Sequence, residues 1–517
     1  MNKRLIFFIL TITILFLAGT GVWAASTFYI NSSEGAYEGA LSELYAIGGE
    51  GTSLLGTNEL YALTGSGVTA LYSETPDDGD DGTGDVSGDE TLPDDNGNEP
   101  DTEEPDNAGD EVKPEEPSAP VITSEIAVKS NTVKVGLCYY YSAYRDSGIA
   151  EAYLSNNVGN GFAFGFYDDE RVFNEVSRTE ETSICLRITE ESGIGVYSAE
   201  QAAPIFDDAL YEISYTDKSN KLAVLPLCDD GDAITSFGDM LYYGGFEFAV
   251  LGGGKISVIN VVDIEKYVMG VCASEMSKSW PVEALKAQAV AARTYVQKAM
   301  MSTTYFTRCG FDVTNDTYCQ AYSGCTKLGD NIIEAVEGTA NQYVTYNGAY
   351  IEALYFSSDG GATEDNVNVN GNNAHPYLKG VEDPYEYMTD SINYMSSWQV
   401  KFTPEELAEK MEMSNVVSVE PTYSELGNVI KLTFTSSNGQ TGTLLRGSCR
   451  TGLGLYSIRY TVSTDSEGNF VFDGRGWGHN LGMSQFGAYS MAKYFEKTYE
   501  EILGFYYTGV ELSYGVI

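Results

Sequence analysis

At 517 residues, with 43% hydrophobic and 12% aromatic positions, the chain is long enough for two or more domains and a sizeable core. Its formal charge of −46, from 75 acidic against 29 basic residues, repels polyanions and argues against nucleic-acid and phosphate-binding functions. Eight cysteines permit disulfides, but only Cys309, Cys319 and Cys325 cluster in sequence; the scattered ones read as core residues.

The amino terminus places Lys3 and Arg4 before an apolar run from Leu5 to about Leu17, then small residues up to Ala25. That is the order of a secretory signal, assigned to residues 1–25; as a membrane anchor its apolar core falls short of the ~20 residues a spanning helix needs. The expectation is an exported protein, at the extracellular face of the membrane or beyond it, anchored if the signal stays uncleaved. Residues 26–75 are Gly-, Ser-, Tyr- and Leu-rich, with echoes such as SELYAIGGEG, NELYALTGSG and TALYSE, and read as a short repetitive segment. Residues 76–120 are acidic and interleaved with Pro and Gly: between Glu74 and Glu116 stand nineteen acidic residues against Lys113 alone. Such a stretch buries too little apolar surface to offset its ordering entropy, which predicts a disordered tether, with ion binding by its D-x-D spacings as the alternative.

From Val121 to about 249 the runs "KVGLCYYYSAY", "SICLRITEESGIGVYSA" and "KLAVLPLC" alternate as strands do. "SNNVGNGFAFGFYDDERVF" carries hairpin signals. A helix is predicted from about 281 to 300: Pro281 suits its first turn, Glu283 complements its dipole, and Val282, Leu285, Ala289, Ala292 and Val296 recur every three or four residues. Glu275 lies just upstream of that helix. Asn347-Gly348 and Asn438-Gly439 predict hairpin turns, a glycine-rich loop holding Trp477 and His479 leads into a helix near Ser484, and Thr498 with Glu501 forms a capping box. Strand-rich segments broken by a few helices indicate a mixed α+β fold behind the acidic linker, with the motif-bearing domain assigned to 250–517.

"SEMSKSWPVEALKAQAVAARTY", "CQAY", "ALYFSSDGGATED", "HPYLKGVEDP" and "GRGWGHNLGMSQFGAYSMA", in this order, resemble the stage II sporulation protein D family, which includes the LytB-type amidase enhancers. The resemblance covers roughly residues 250–515. It implies a cell-wall protein, a lytic transglycosylase that cuts peptidoglycan glycan strands and leaves 1,6-anhydromuramic ends, with Glu275 as the catalytic carboxyl. Without the resemblance, a lone Glu before a helix reads as a solvated cap.

The resemblance also implies substrate contacts from Lys286 and Arg293, seven residues apart on one helix face; the plainer reading is a solvated cationic pair. Tyr355, Ser358 and Lys379 suit sugar contacts or structural roles equally. His479 and Gln485 are read as walls of the site, His479 with a structural role as the alternative. Some relatives hold zinc through two cysteines at the Cys319–Cys325 spacing plus an upstream histidine, which this chain lacks; Cys309 is the candidate third thiolate. A structural zinc, a disulfide and plain thiols all stay open. The chemistry itself requires no cofactor. The second functional reading, from the amidase-enhancer branch, is a non-catalytic wall-binding scaffold that recruits a cell-wall amidase.

Overall fold

A computed structural model describes residues 119–516, apart from 121, 143–144, 190–192, 201–220, 252, 302–308 and 372–373, together with four short strands before residue 74. The chain divides into two units, 1–116 and 117–517. In the first, Phe8–Ile12 pairs antiparallel with Ser26–Ile30, and Glu59–Thr64 with Gly67–Ser73. The second pair shows what two of the sequence echoes are: NELYALTGSG and TALYSE supply the two arms of one hairpin. The remainder of the apolar amino-terminal run and residues 76–118 of the acidic stretch lie outside the described residues.

The second unit is the strand-rich α+β body expected from the sequence. Val133, Val135 and Leu137 of Thr132–Cys138 are buried in alternation, as a pleated strand with one core face requires. That strand joins a seven-stranded sheet in the order Phe173–Thr179, Phe162–Tyr167, Leu222–Pro226, Gly245–Leu251, Lys255–Asp263, Thr132–Cys138, Val313–Thr314. A five-stranded antiparallel sheet, centred on Glu151–Asn156 and Ser183–Ile188, contributes Leu154, Ile184 and Leu186 to the same core.

Lys255–Asp263 runs directly into helix α1 (Ile264–Glu275), whose amino end is capped by the Asp263 carboxylate accepting from the Glu265 and Lys266 amides. Helix α2 (Val282–Met301) follows, within one residue of the predicted limits at either end. The sequence pattern showed one apolar stripe on α2, yet the helix is buried nearly all round, because its alanines admit neighbours on every side. Those neighbours are α1, α3 (Asp330–Gly338), the strand Gln342–Tyr346, α5 (Gln485–Tyr494) and α6 (Tyr499–Tyr506). Strand and motif regions therefore share one core, and the change of character near residue 250 does not separate two bodies. Ile122–Ala127 lies parallel to Glu511–Val516, so the two ends of the unit are joined in one sheet.

Residues 395–472 build a second core of their own around Phe402, Leu432, Phe434 and Phe472, from two three-stranded sheets and α4 (Pro404–Lys410). The local signals hold where their chemistry is local. Asn347 and Gly348 both take positive φ between paired strands, Ser484 caps α5, and Thr498 and Glu501 form the reciprocal capping box of α6.

Candidate functional site

α1 stops at Glu275 because Met276 turns to extended backbone (φ −125°, ψ 154°). The turn Ser277–Ser279 then delivers Trp280 and Pro281 to the start of α2, where the Pro281 carbonyl accepts from the Leu285 amide at 3.1 Å. Trp280 packs against Phe486 and Tyr489 of α5, with ring centroids 5.2 and 5.0 Å away. The turn that carries Glu275 is thereby clamped to the carboxyl-terminal motif, more than 200 residues on in sequence.

Three donors converge on the Glu275 carboxyl. The Ala321 amide donates to Oε1 at 2.8 Å, and Gln485 Nε2 to Oε2 at 3.2 Å. The third is the Tyr355 hydroxyl. Its direction is fixed by a chain: Tyr267 donates to Gln320 Oε1 at 3.0 Å, Gln320 Nε2 donates to the Tyr355 oxygen at 2.9 Å, and Tyr355 keeps its own proton for Glu275. A carboxylate offers about four lone-pair positions. Three are taken by protein, and the fourth is left for a proton or a ligand.

Burial is the largest influence on Glu275 and pushes its carboxyl above the usual carboxylate range, against the pull of the three donors. Its place at the negative end of α1 acts in the same direction as burial. Gln288, fully buried on α2, faces Gln485 at 3.5 Å, and its Nε2 has no hydrogen-bond partner.

His479 reaches this site through Tyr355. Its Nδ1 accepts from the Leu481 amide at 3.1 Å, the ring bonds to the Tyr355 backbone, and Phe356 packs on it at 5.2 Å. Desolvation, helped by nearby Arg450, drives the imidazole down to about 4, so at neutral pH it is an uncharged clamp on Tyr355. Both ring nitrogens have protein partners, which favours the structural role for His479 over a substrate contact.

Of the residues expected here, Glu275, Tyr355 and Gln485 come together, and four others do not. Arg293 is fully buried in an ion pair with Glu265 at 2.6 Å and donates to the Gln342 and Val336 carbonyls. Glu265 is in the first turn of α1, so roughly 15 Å of helix separates that pair from Glu275. Lys286 pairs with Glu283 at 2.7 Å beneath the Tyr499 ring, and Glu283 also accepts the Tyr499 amide: a helix-packing contact. Seven residues do place both on α2, but Arg293 is turned into the interior and the part-exposed Lys286 head is taken up by Glu283. Lys379 pairs with Asp365 at the surface. Ser358 is fully buried and donates to Glu386.

The cysteine cluster does not form a ligand set. Cys309 packs by Tyr139 and Phe311, with its sulfur 3.7 Å from the Tyr140 carbonyl; Cys319 meets the Tyr295 hydroxyl; Cys325 lies beside Leu241 and Tyr242, its thiol raised by burial. All eight cysteines are thiols. The residues present therefore do not fit a zinc ion held by these three sulfurs, because tetrahedral ligation needs the sulfurs to converge on one point and these three lie in separate surroundings.

Among the described residues, the one group of three candidate metal donors is Asp359, Asp383 and Glu386, all buried. Glu386 already accepts four bonds: Ser358 Oγ and the Gly360 amide on Oε1, Ser484 Oγ and the Asp359 amide on Oε2. Asp383 accepts from the Tyr385 and Glu386 amides and from the Tyr506 hydroxyl. Desolvation and its two acidic neighbours push Asp359 well above the usual carboxylate range, which favours its protonated form. A saturated carboxylate and a protonated acid make a structural knot, with few lone pairs left for a cation.

Sequence reasoning missed Gln320, Ala321 and Gln288. Gln320 and Ala321 are the centre of the "CQAY" motif, and Gln288 is the one amide within the alanine-rich stretch of α2; each was a visible signal whose partner was not.

The chain was compared with known proteins. Residues 252–346 match the family described as stage II sporulation protein. Over 268 residues, 49% of this chain and 76% of the relative, it is 32% identical to the stage II sporulation protein D of Bacillus subtilis. An uncharacterised protein of Brachyspira hyodysenteriae is 36% identical over 283 residues, 52% of this chain and 72% of that protein. A Bacillus subtilis protein named amidase enhancer is 30% identical over 292 residues, 47% of this chain and 40% of its own length.

Proposed function

This chain belongs to the stage II sporulation protein D family, and on that footing we propose that it is an exported cell-wall enzyme, a lytic transglycosylase that cuts peptidoglycan glycan strands with Glu275. The observation that carries the reading is the Glu275 carboxyl itself: half-buried, raised in pKa, and given three protein donors with one lone-pair position open.

The chemistry follows from that vacancy. The protonated carboxyl donates to the glycosidic oxygen as oxocarbenium character develops at the sugar. The resulting carboxylate is stabilised by Ala321, Gln485 and Tyr355, and then removes the proton of the muramic C6 hydroxyl, which closes the 1,6-anhydro ring. One group serves as acid and then base, so no second carboxylate is called for, and the partners of Glu275 are all neutral donors. Proton transfer by one carboxyl draws on no cofactor.

The test is Glu275→Gln with purified glycan strands. Cleavage to anhydromuramic ends, followed by mass spectrometry, should disappear while strand binding persists. Wild-type protein that leaves the strands intact, or yields only hydrolysed reducing ends, would sink the reading. The amidase-enhancer relative supports a second reading, a wall-binding scaffold for an amidase. Under that reading Glu275→Gln leaves amidase stimulation unchanged and no anhydro ends ever form.

A further inference from the structure

The glycine-rich loop does more than hold His479. Gly476 (φ +83°) and Gly478 (φ +132°) take conformations that side chains rarely adopt, and between them Trp477 is turned outward with 38% of its surface exposed. A Cβ on Gly478 would meet Phe356 at 2.6 Å, so the loop approaches its neighbours as closely as glycine allows. The Trp477 backbone is pinned on both sides to Ser358, at 2.8 and 3.0 Å. The Gly476 amide donates to the Met395 carbonyl and the Gly478 amide to the Tyr456 carbonyl, at 2.8 and 2.9 Å. Trp398 Nε1 holds the Gly476 carbonyl from below.

These bonds gather three aromatic side chains from distant segments at the surface. Tyr394, 69% exposed, stands perpendicular to Trp477 with centroids 5.5 Å apart; Tyr456, 40% exposed, stands at 76° to it with centroids 6.1 Å apart. Folding alone gives no reason to hold three large rings together in water by a dedicated set of backbone bonds. The charged pair at the rim, Arg475 with Asp390 at 2.8 Å, neutralises itself.

We propose that Tyr394, Tyr456 and Trp477 form a sugar-binding platform, a distal subsite that grips the glycan strand away from the bond being cut. The proposal rests on the glycan-cleaving reading above. Pyranose rings have apolar C–H faces and polar rims, and rigid amphipathic rings with their hydroxyls and indole N–H in water match both. Three partly exposed rings are far too small for a protein partner, which typically needs about 800 Å² per side. The platform is also tied to the candidate site through the backbone. Trp477 is bonded to Ser358, three residues from Tyr355 and hence at most about 11 Å of chain away, while the same loop clamps Tyr355 through His479.

The experiment uses the full chain with Glu275→Gln, so that strands bind without being cut. Binding of long glycan strands without stem peptides is compared with that of a single disaccharide. Tyr394→Ala and Trp477→Ala should each weaken long-strand binding about tenfold and leave disaccharide binding within about twofold, and Trp477→Phe should restore most of the loss. Tyr394 is so exposed that its removal should not shift thermal unfolding; if Trp477→Ala fails to fold, Tyr394→Ala decides alone. Unchanged long-strand binding in the alanine variants, with the Glu275→Gln parent still binding, overturns the platform and leaves the cleavage reading standing. A parent that binds no glycan at all defeats both. Variants that keep strand binding but lose stimulation of an amidase reassign the surface to a protein partner and overturn the sugar assignment.

Discussion

Two desolvated carboxyl centres in this protein differ in how far protein donors fill them. Glu386 accepts four hydrogen bonds, two per oxygen, and its neighbour Asp359 is held well above the usual carboxylate range. Glu275 accepts three, from Ala321, Gln485 and Tyr355. Both are desolvated and both are raised in pKa. Saturation makes the first a brace between the Ser358 loop, the Ser484 cap of α5 and the Glu386 turn; the unfilled position makes the second available to a substrate. Burial of a carboxyl therefore does not identify function by itself. The count of its donors does.

Glu275→Gln gives the largest expected effect on this contrast: loss of cleavage by about 10³-fold or more with thermal unfolding little changed, read by release of anhydromuropeptides alongside calorimetry. Glu386→Ala should do the reverse. It strands two hydroxyls and two amides in the interior and should cost about 3–5 kcal/mol of stability by denaturant unfolding, with the loss of activity following the loss of folded protein. If Glu386→Ala folds normally and abolishes cleavage, the assignments of brace and catalyst have to be exchanged.

Tyr355→Phe removes one donor from Glu275. Cleavage should fall about tenfold to a hundredfold, and the pH profile carries the sharper signature. On the proposed mechanism the acid form acts first, so activity should be lost as pH rises through the raised pKa of Glu275, above the usual carboxylate range. Tyr355 pulls that pKa down, so the phenylalanine variant should lose activity at a higher pH than wild type. A limb that moves to lower pH would contradict the hydrogen bond.

Asp359 gives a smaller, signed effect on stability. Its folded pKa lies well above the unfolded one. Its favourable contribution is complete below the usual carboxylate range and is lost as pH climbs toward the folded value. Asp359→Asn keeps a donor toward Asp383 and should flatten that decline in unfolding free energy by about 1 kcal/mol. The smallest effect belongs to the cysteines: Cys319→Ser and Cys325→Ser, and treatment with a chelator, should each alter stability by less than about 1 kcal/mol and leave cleavage intact, since the two sulfurs lie in different surroundings. Metal analysis showing one zinc per chain, lost in both variants, would instead establish a site at this cluster.

The sequence by itself determined what depends on neighbours along the chain. Pro281, the alanine-rich stripe, Asn347-Gly348 and the Thr498–Glu501 box placed a helix, a turn and a cap, because each is a bond or a backbone preference within a few residues. The resemblance also named Glu275 and Gln485, which the fold brings within hydrogen-bond distance. What only the tertiary structure decided is which polar groups face each other. Lys286 and Arg293 are spaced for a common face, yet Arg293 is turned into the interior, and their charges are taken up by Glu283 and Glu265. Cys309, Cys319 and Cys325 are close in sequence and point to three different neighbourhoods. Gln320 and Gln288 gave no sign of their roles, because a buried amide acquires meaning only from the partner across from it, here Tyr355 or Gln485, tens to hundreds of residues away along the chain.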